Sequence, residues 1–176
     1  MNKRKYSSVQ IVAVGAIIAA VYAAATYAAA ALGLAYGTLG LAIQFRFSEA
    51  LCILPAFTPL AIPGLTVGCF LGNIGSPYGV IDVICGTAAT LIAAILSYMV
   101  RNIKWKGIPF LVPLPAVLVN AVIVGLEITV FADVPSPAVF LMAAAEVGIG
   151  QLVVCYALGL PLYAALNNKK IAPLLK

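Results

Sequence analysis

Residues 44–63 of this chain read QFRFSEALCILPAFTPLAIP. Two charged residues, Arg46 and Glu49, lie three positions apart at the start of this otherwise apolar stretch, and Pro55, Pro59 and Pro63 follow at four-residue spacing. Proline removes a backbone donor and clashes with the preceding turn, so three of them predict short or kinked helices instead of one long helix. The stretch therefore indicates a pair of broken helices with two charges at their beginning.

The composition of the whole chain is typical of a membrane protein. Of its 176 residues, 64% are hydrophobic and 9% are charged, and the mean hydropathy is +1.14. A soluble domain carries roughly 25% charged residues, so this chain has too few polar groups to cover a surface in water. A helix needs about 20 residues to cross the hydrocarbon layer, and the length therefore allows about six crossings in a single membrane domain, residues 1–176.

The apolar segments predict an all-α integral membrane protein with six transmembrane helices. Their approximate ranges are 9–32, 44–57, 59–75, 79–100, 109–132 and 137–166, and the second and third are the short, proline-broken pair. Nine of the ten basic residues lie in three clusters, at 3–5, 101–106 and 169–176. Short basic clusters beside apolar segments mark cytoplasmic ends. Both termini are therefore expected in the cytoplasm. Parity allows either two crossings or none between residues 44 and 75, and the length of this region favours two short helices.

This topology places the acidic residues in the outer half of the membrane or outside it. A charge at the centre of a transmembrane helix costs roughly 2.5–3.5 kcal/mol, and intramembrane ionisable groups mark functional sites. We therefore expect a cavity that opens to the outside and binds a small, polar, neutral or cationic ligand. For Asp82 and Asp133, a position in the headgroup region without a role is an equal alternative. The residues expected to line the cavity are Arg46, Glu49, Asn73, Asp82, Asn120, Glu127 and Glu146.

A ladder of small residues runs along the first predicted helix. Ala16, Ala20, Ala24 and Ala28 repeat every four residues, and small side chains at this spacing let a second helix approach closely. Packing within the same bundle and docking of a partner subunit are both compatible with the pattern.

The residue types argue against several kinds of site. The chain has no histidine, and Cys52, Cys69, Cys85 and Cys155 lie in apolar segments without metal-ligand spacing, so neither a metal site nor another cofactor is expected. A phosphate-binding loop of the G-x-x-x-x-G-K-[ST] type is also missing from the sequence. An enzyme that uses the carboxylates is therefore disfavoured, and ATP hydrolysis would belong to another chain.

Several stretches resemble the queuosine-precursor transporter (QueT) family. They are QFRFSEAL at 44–51, Leu-Pro at 54–55 with Thr-Pro at 58–59, GLTVGC at 64–69 with Asn73, and Asp82 with Gly86. The resemblance covers nearly the whole chain. It implies the substrate-binding (S) subunit of an energy-coupling-factor (ECF) transporter, a multi-pass protein of the bacterial plasma membrane that binds no nucleic acid. Such a subunit pairs with a transmembrane coupling subunit and two ATPase subunits.

The resemblance also implies a ligand, a 7-deazaguanine base such as pre-queuosine or queuine. Glu127 or Glu146 would accept hydrogen bonds from the guanine-like edge, and the other would meet a side-chain amine. Arg46 would pair with Glu49 and donate to the base carbonyl. Orienting contacts are expected from Asn73 and Asn120, and ring stacking from Phe45, Phe47 or Tyr78. Two further interpretations are an ECF subunit for another vitamin or nucleobase and a solitary secondary transporter.

Overall fold

The computed structural model describes residues 7–37 and 41–168, which form helices and no strand. This part of the chain confirms the all-α class. Its α-helices are α1 (Ser8–Ala31), α2 (Ala61–Asn73), α3 (Val80–Val100), α4 (Leu114–Val130), α5 (Pro137–Leu152) and α6 (Gly159–Leu166). A 3₁₀ helix, Phe47–Ala56, precedes α2, and a π-helical segment, Val153–Leu158, joins α5 to α6 without a break.

Three of these helices are long and apolar enough to cross a membrane. They are α1, α3 and the continuous helix Pro137–Leu166, with 24, 21 and 30 residues. The 3₁₀ helix and α2 are each only about 20 Å long, compared with roughly 30 Å of hydrocarbon, and α4 has 17 residues. Six crossings with both termini in the cytoplasm therefore remain a prediction. The basic clusters at 3–5 and 169–176 lie outside the described residues.

Two helix starts follow directly from local sequence. At α1, the Ser7 hydroxyl accepts from the Gln10 amide at 3.3 Å, and the Gln10 side chain accepts from the Ser7 amide at 3.0 Å, which forms a reciprocal capping box. At α5, Ser136 accepts from the Val139 amide at 3.3 Å, and Pro137 occupies the first helical position. Proline is favoured there because its missing N–H would have no helical partner.

The 3₁₀ helix lies inside the bundle. It packs against α1, α2, α3, the π-helical segment and α6, and seven of its ten residues are buried. Pro55 lies within it and has no N–H with which to close an α-helical turn. The charged stretch from the sequence therefore becomes the centre of the fold, in a tighter helical form than the predicted broken α-helix.

Glycines on α2 set its distance from α1. A Cβ added at Gly68 would lie 2.6 Å from the Cβ of Tyr22, and one added at Gly72 would lie 3.0 Å from the Cβ of Thr26. The glycines face the buried side of α1 and allow the two helices to approach closely.

The alanine ladder of α1 lies on a different side of that helix. Ala16, Ala20, Ala24 and Ala28 are all exposed, whereas the buried residues of α1 are Ile18, Ala19, Tyr22, Ala23, Thr26 and Ala29. Within the described residues, the ladder is therefore not the surface that packs α1 into its own bundle.

Candidate functional site

Six of the seven polar residues expected to line a cavity are buried where the 3₁₀ helix, α2, α3 and α4 meet. Each of them is at most 4% exposed. Two of these residues lie at the start of the 3₁₀ helix, one is the last residue of α2, and one lies in the first turn of α3. The other two lie two turns apart on α4. In chain order they are Arg46, Glu49, Asn73, Asp82, Asn120 and Glu127.

Asn73 links the arginine to the first turn of α3. The Arg46 guanidinium donates from Nη2 to the side-chain oxygen Oδ1 of Asn73. The Asn73 side-chain amide Nδ2 donates to the Asp82 main-chain oxygen at 3.0 Å and to the Asp82 side-chain oxygen Oδ1 at 3.4 Å. Gly86 makes room for this amide, because a Cβ at position 86 would overlap Asn73 Nδ2. The resemblance to the QueT family had included Gly86, and its structural role is to admit the Asn73 side chain.

Glu49 is held by three neutral donors. The Tyr22 hydroxyl donates to its Oε1 at 2.5 Å, and the Cys52 thiol and the Asn120 amide donate to its Oε2 at 3.1 and 3.4 Å. Tyr22 was not predicted as a site residue, because a tyrosine in an apolar helix gives no sign in the sequence of which helix its hydroxyl will reach.

The predicted pairing of Arg46 with Glu49 stays a prediction, because the hydrogen bonds of the two side chains go to different partners: Arg46 donates to Asn73, and Glu49 accepts from the donors just named. In a 3₁₀ helix, residues three apart lie on one face. Arg46, however, is the residue before the helix and has an extended backbone, with φ −81° and ψ 102°. Its side chain therefore leaves in a different direction, toward α2 and α3.

Several buried polar atoms near this network have no protein partner within the described part of the chain. They include both carboxylate oxygens of Glu127, Oδ2 of Asp82 and Nε of Arg46. Leaving a buried polar group unpaired costs roughly 1–3 kcal/mol, and more if the group is charged. Buried polar groups in folded proteins nearly always have partners, so this arrangement is suited to a polar ligand that supplies them.

Two tyrosines from connecting segments lie beside these atoms. Burial raises the pKa of the Tyr78 phenol, and the charges of Glu127 and then Asp82 raise it further. Burial also raises the pKa of the Tyr36 phenol, which Arg46 opposes and Asp82 reinforces. Both hydroxyls therefore remain protonated at neutral pH.

The same tyrosines join the connecting segments to each other and to α2. The Tyr36 hydroxyl donates to the Gly72 main-chain oxygen at 3.3 Å, and the Tyr78 hydroxyl donates to the Tyr36 main-chain oxygen at 3.5 Å. The Tyr78 ring lies 5.8 Å from the ring of Phe131. The sequence had suggested Tyr78 but neither Tyr36 nor Phe131, and aromatic residues near three helix ends were the signal that could have found them.

The remaining predicted residues take other positions. Glu146 is half-buried and accepts from the Ala42 main-chain amide at 2.7 Å, so it fastens the segment that leads to Arg46. Phe45 and Phe47 are half-buried on either side of Arg46, and the Phe45 amide donates to the Leu34 main-chain oxygen at 2.8 Å. The stacking role of these two rings remains a prediction.

The described residues contain no group of three or more His, Cys, Asp or Glu side chains that could hold a metal ion, and the four cysteines are free thiols. The polar side chains of the site can form hydrogen bonds and charge interactions with a ligand.

The comparisons with known proteins agree with this picture. The family model described as the QueT transporter matches residues 12–168, which is nearly the whole chain and includes every residue of the buried network. No curated protein and no solved structure matches the chain. With its apolar helices, the chain is a membrane transport protein, and it belongs to the QueT transporter family.

Proposed function

We propose that this chain is the substrate-binding subunit of an ECF importer and that it captures a 7-deazaguanine precursor of queuosine. Its family indicates a transporter of queuosine-precursor-type substrates. The observation that carries the proposal is the group of buried, unpartnered polar atoms on Arg46, Asp82 and Glu127, because a captured base can satisfy them.

The hydrogen-bonding capacity of these atoms matches such a base. Among the described residues, the two carboxyl groups have three acceptor oxygens without a partner, and the arginine has at least one such donor, Nε. The ligand should therefore bring several N–H donors and at least one acceptor. A 7-deazaguanine presents a ring N–H between an exocyclic amine and a carbonyl oxygen, that is, two neighbouring donors followed by one acceptor.

The charge distribution supports capture from outside a bacterial plasma membrane. Asp82 lies in the first turn of α3, and Arg101 directly follows that helix, so about 29 Å of helix separates them. Basic residues follow at 104 and 106, and such clusters face the cytoplasm. We therefore assign the polar network to the outer half of the membrane, in a bundle with six crossings and cytoplasmic termini.

The exposed alanine ladder supports docking of a partner. Ala16, Ala20, Ala24 and Ala28 give α1 a surface of small side chains that faces away from the bundle, and such a surface accepts another helix at short range. We assign it to the transmembrane coupling subunit, which would connect this chain to two ATPase subunits.

Formation of queuosine in the tRNA of a host that cannot synthesise it tests the transport proposal. The protein would be expressed with and without the coupling and ATPase subunits, and single precursors would be supplied in the medium. We expect queuosine only when all subunits and a deazaguanine precursor are present. No rescue by any precursor, with the protein correctly inserted, would refute the substrate. Rescue without partners that collapses with the ion gradient would indicate a solitary secondary transporter.

Substitutions on the alanine ladder of α1 test the docking of the coupling subunit. Ala20→Trp or Ala24→Trp should abolish uptake and leave ligand binding by the purified chain unchanged, because the ladder faces away from the site. Met142→Trp, which alters another exposed position (62%) on α5, serves as the control and should leave both unchanged. Normal uptake and normal copurification of the coupling subunit with the ladder variants would exclude this surface.

A further inference from the structure

We propose that the site selects a deazaguanine that carries one positive charge, and that two carboxylates divide its recognition. Glu127 accepts two parallel hydrogen bonds from the guanine-like edge, and Asp82 accepts one from a cationic amine on the side chain of the base. This inference rests on the proposed function, because it specifies which member of that ligand class binds best.

The division follows from the number of free oxygens on each carboxylate. Glu127 is 4% exposed and has both oxygens free, so it can accept two neighbouring N–H groups at once, as carboxylates do from a planar pair of donors. Asp82 is 3% exposed and has only Oδ2 free, since Asn73 donates to Oδ1. A single fixed acceptor suits a single N–H donor.

Arg46 can supply the remaining hydrogen bond to the guanine-like edge of the base. Its Nη2 is engaged by Asn73 and its Nε is free, so it can donate to one carbonyl oxygen beside the donors that Glu127 accepts. Together, Glu127 and Arg46 offer acceptor, acceptor and donor, which is the complement of the amine, ring N–H and carbonyl of a 2-aminopyrimidinone. A base without the exocyclic amine would leave one oxygen of Glu127 unpaired.

The charge of the buried network favours a cationic ligand. Even without Glu127, two acidic side chains, Glu49 and Asp82, are buried beside one guanidinium, that of Arg46. The donors to Glu49 are neutral, so they leave its charge in place. Uncompensated charge in a low-dielectric interior is costly, and one additional positive charge next to Asp82 reduces that cost.

Binding of four bases to the purified full chain tests the selectivity. The probes are 7-aminomethyl-7-deazaguanine, which is cationic, 7-cyano-7-deazaguanine, which has the same ring and a neutral side chain, 7-deazaguanine, and 7-deazahypoxanthine. A hydrogen bond between charged groups corresponds to roughly 10- to 150-fold in affinity. We expect the aminomethyl base to bind at least about tenfold more tightly than the cyano base, and 7-deazahypoxanthine to bind about tenfold or more weakly than 7-deazaguanine.

Three charge-neutralising variants separate the two roles. Asp82→Asn should weaken the aminomethyl base about tenfold or more and change the cyano base less than about threefold, whereas Glu127→Gln should weaken both by similar factors of about ten or more. Asp133→Asn is the matched control, since Asp133 is exposed in the connection after α4, and it should change neither affinity. Thermal unfolding of each variant establishes that it is folded.

The outcomes separate the inference from the function on which it rests. If the wild-type chain binds none of the deazaguanines, the proposed function fails. If it binds the aminomethyl and cyano bases equally, or if Asp82→Asn weakens both equally, the inference is overturned and the proposed function stands. If Asp82→Asn does not fold, the inference is still tested by the preference of the wild-type chain for the aminomethyl base over the cyano base and by the affinities of Glu127→Gln.

Discussion

Gly86→Ala should disable the site although Gly86 itself is not expected to contact the ligand. The new Cβ would overlap Asn73 Nδ2 and lie 3.1 Å from Asp82 Oδ1. The Asn73 side chain is fully buried and carries the hydrogen bonds that connect Arg46 to Asp82. It must move away, and those bonds are lost with it.

The size of the effect follows from these bonds. Losing the bond to the guanidinium and the bond to the Asp82 main-chain oxygen costs roughly 2–4.5 kcal/mol. Alanine recovers about 0.5–1 kcal/mol relative to glycine in a helix, so the free energy of unfolding should fall by about 1–4 kcal/mol. Because Arg46 and Asp82 both lose their orientation, ligand affinity should fall at least about tenfold.

The loss of stability and of ligand affinity can be measured by thermal unfolding and ligand binding of four variants: Gly86→Ala, Gly148→Ala, Asn73→Ala and the double variant of Asn73→Ala and Gly86→Ala. Gly148→Ala is the control, since its Cβ would lie 3.5 Å from the Cβ of Ala121, which is an ordinary contact. Asn73→Ala should reproduce the loss, and adding Gly86→Ala to it should cost little more, because the clashing amide is then absent. The reasoning is refuted if Gly86→Ala behaves like Gly148→Ala, or if it costs as much with Asn73→Ala as without it.

Other positions give further predictions. Gly68→Ala should lower the unfolding temperature, because overpacking costs about 1–3 kcal/mol, whereas Gly15→Ala, with nothing within 4 Å of its Cβ, should not; equal melting of the two would contradict the close helix contact. Tyr22→Phe should destabilise the protein by about 1.5–3 kcal/mol through loss of its bond to Glu49, and a wild-type melting curve would exclude that bond. Glu146→Gln keeps an acceptor for its main-chain partner, so calorimetric ligand affinity should stay within about threefold, and a larger loss would make Glu146 a ligand contact.

The sequence predicted the helical segments well because apolar length and proline spacing are local properties. Helices occur within each of the six predicted apolar segments. The central position of the 3₁₀ helix could not be foreseen, since a charged stretch broken by prolines looks equally suited to the edge of a bundle. Burial of Arg46 and Glu49 at 3% and 2% exposure depends on contacts with helices distant in sequence.

The sequence predicted which residues belong to the candidate site better than it predicted their hydrogen-bond partners. Glu127 and Glu146 look alike in sequence, each being one carboxylate in an apolar helix. Only the folded chain shows that Glu146 meets a main-chain amide 104 positions away, while Glu127 has no partner among the described residues. Hydrogen-bond partners on different helices depend on how each helix is rotated about its axis and how far along the bundle it lies. A single sequence gives neither quantity.

The π-helical segment has a consequence for the last helix. Its wider turns accommodate an extra residue, and one residue turns a helix by about 100°. Before the segment, α5 packs against α4, and after it Tyr163 of α6 stacks on Phe57 with ring centroids 4.9 Å apart. Removing one residue from Val153–Leu158 should therefore restore a regular α-helix and leave Tyr163 facing Phe57. The π-helical segment therefore absorbs one extra residue without turning the last part of the helix away from the residues that it packs against.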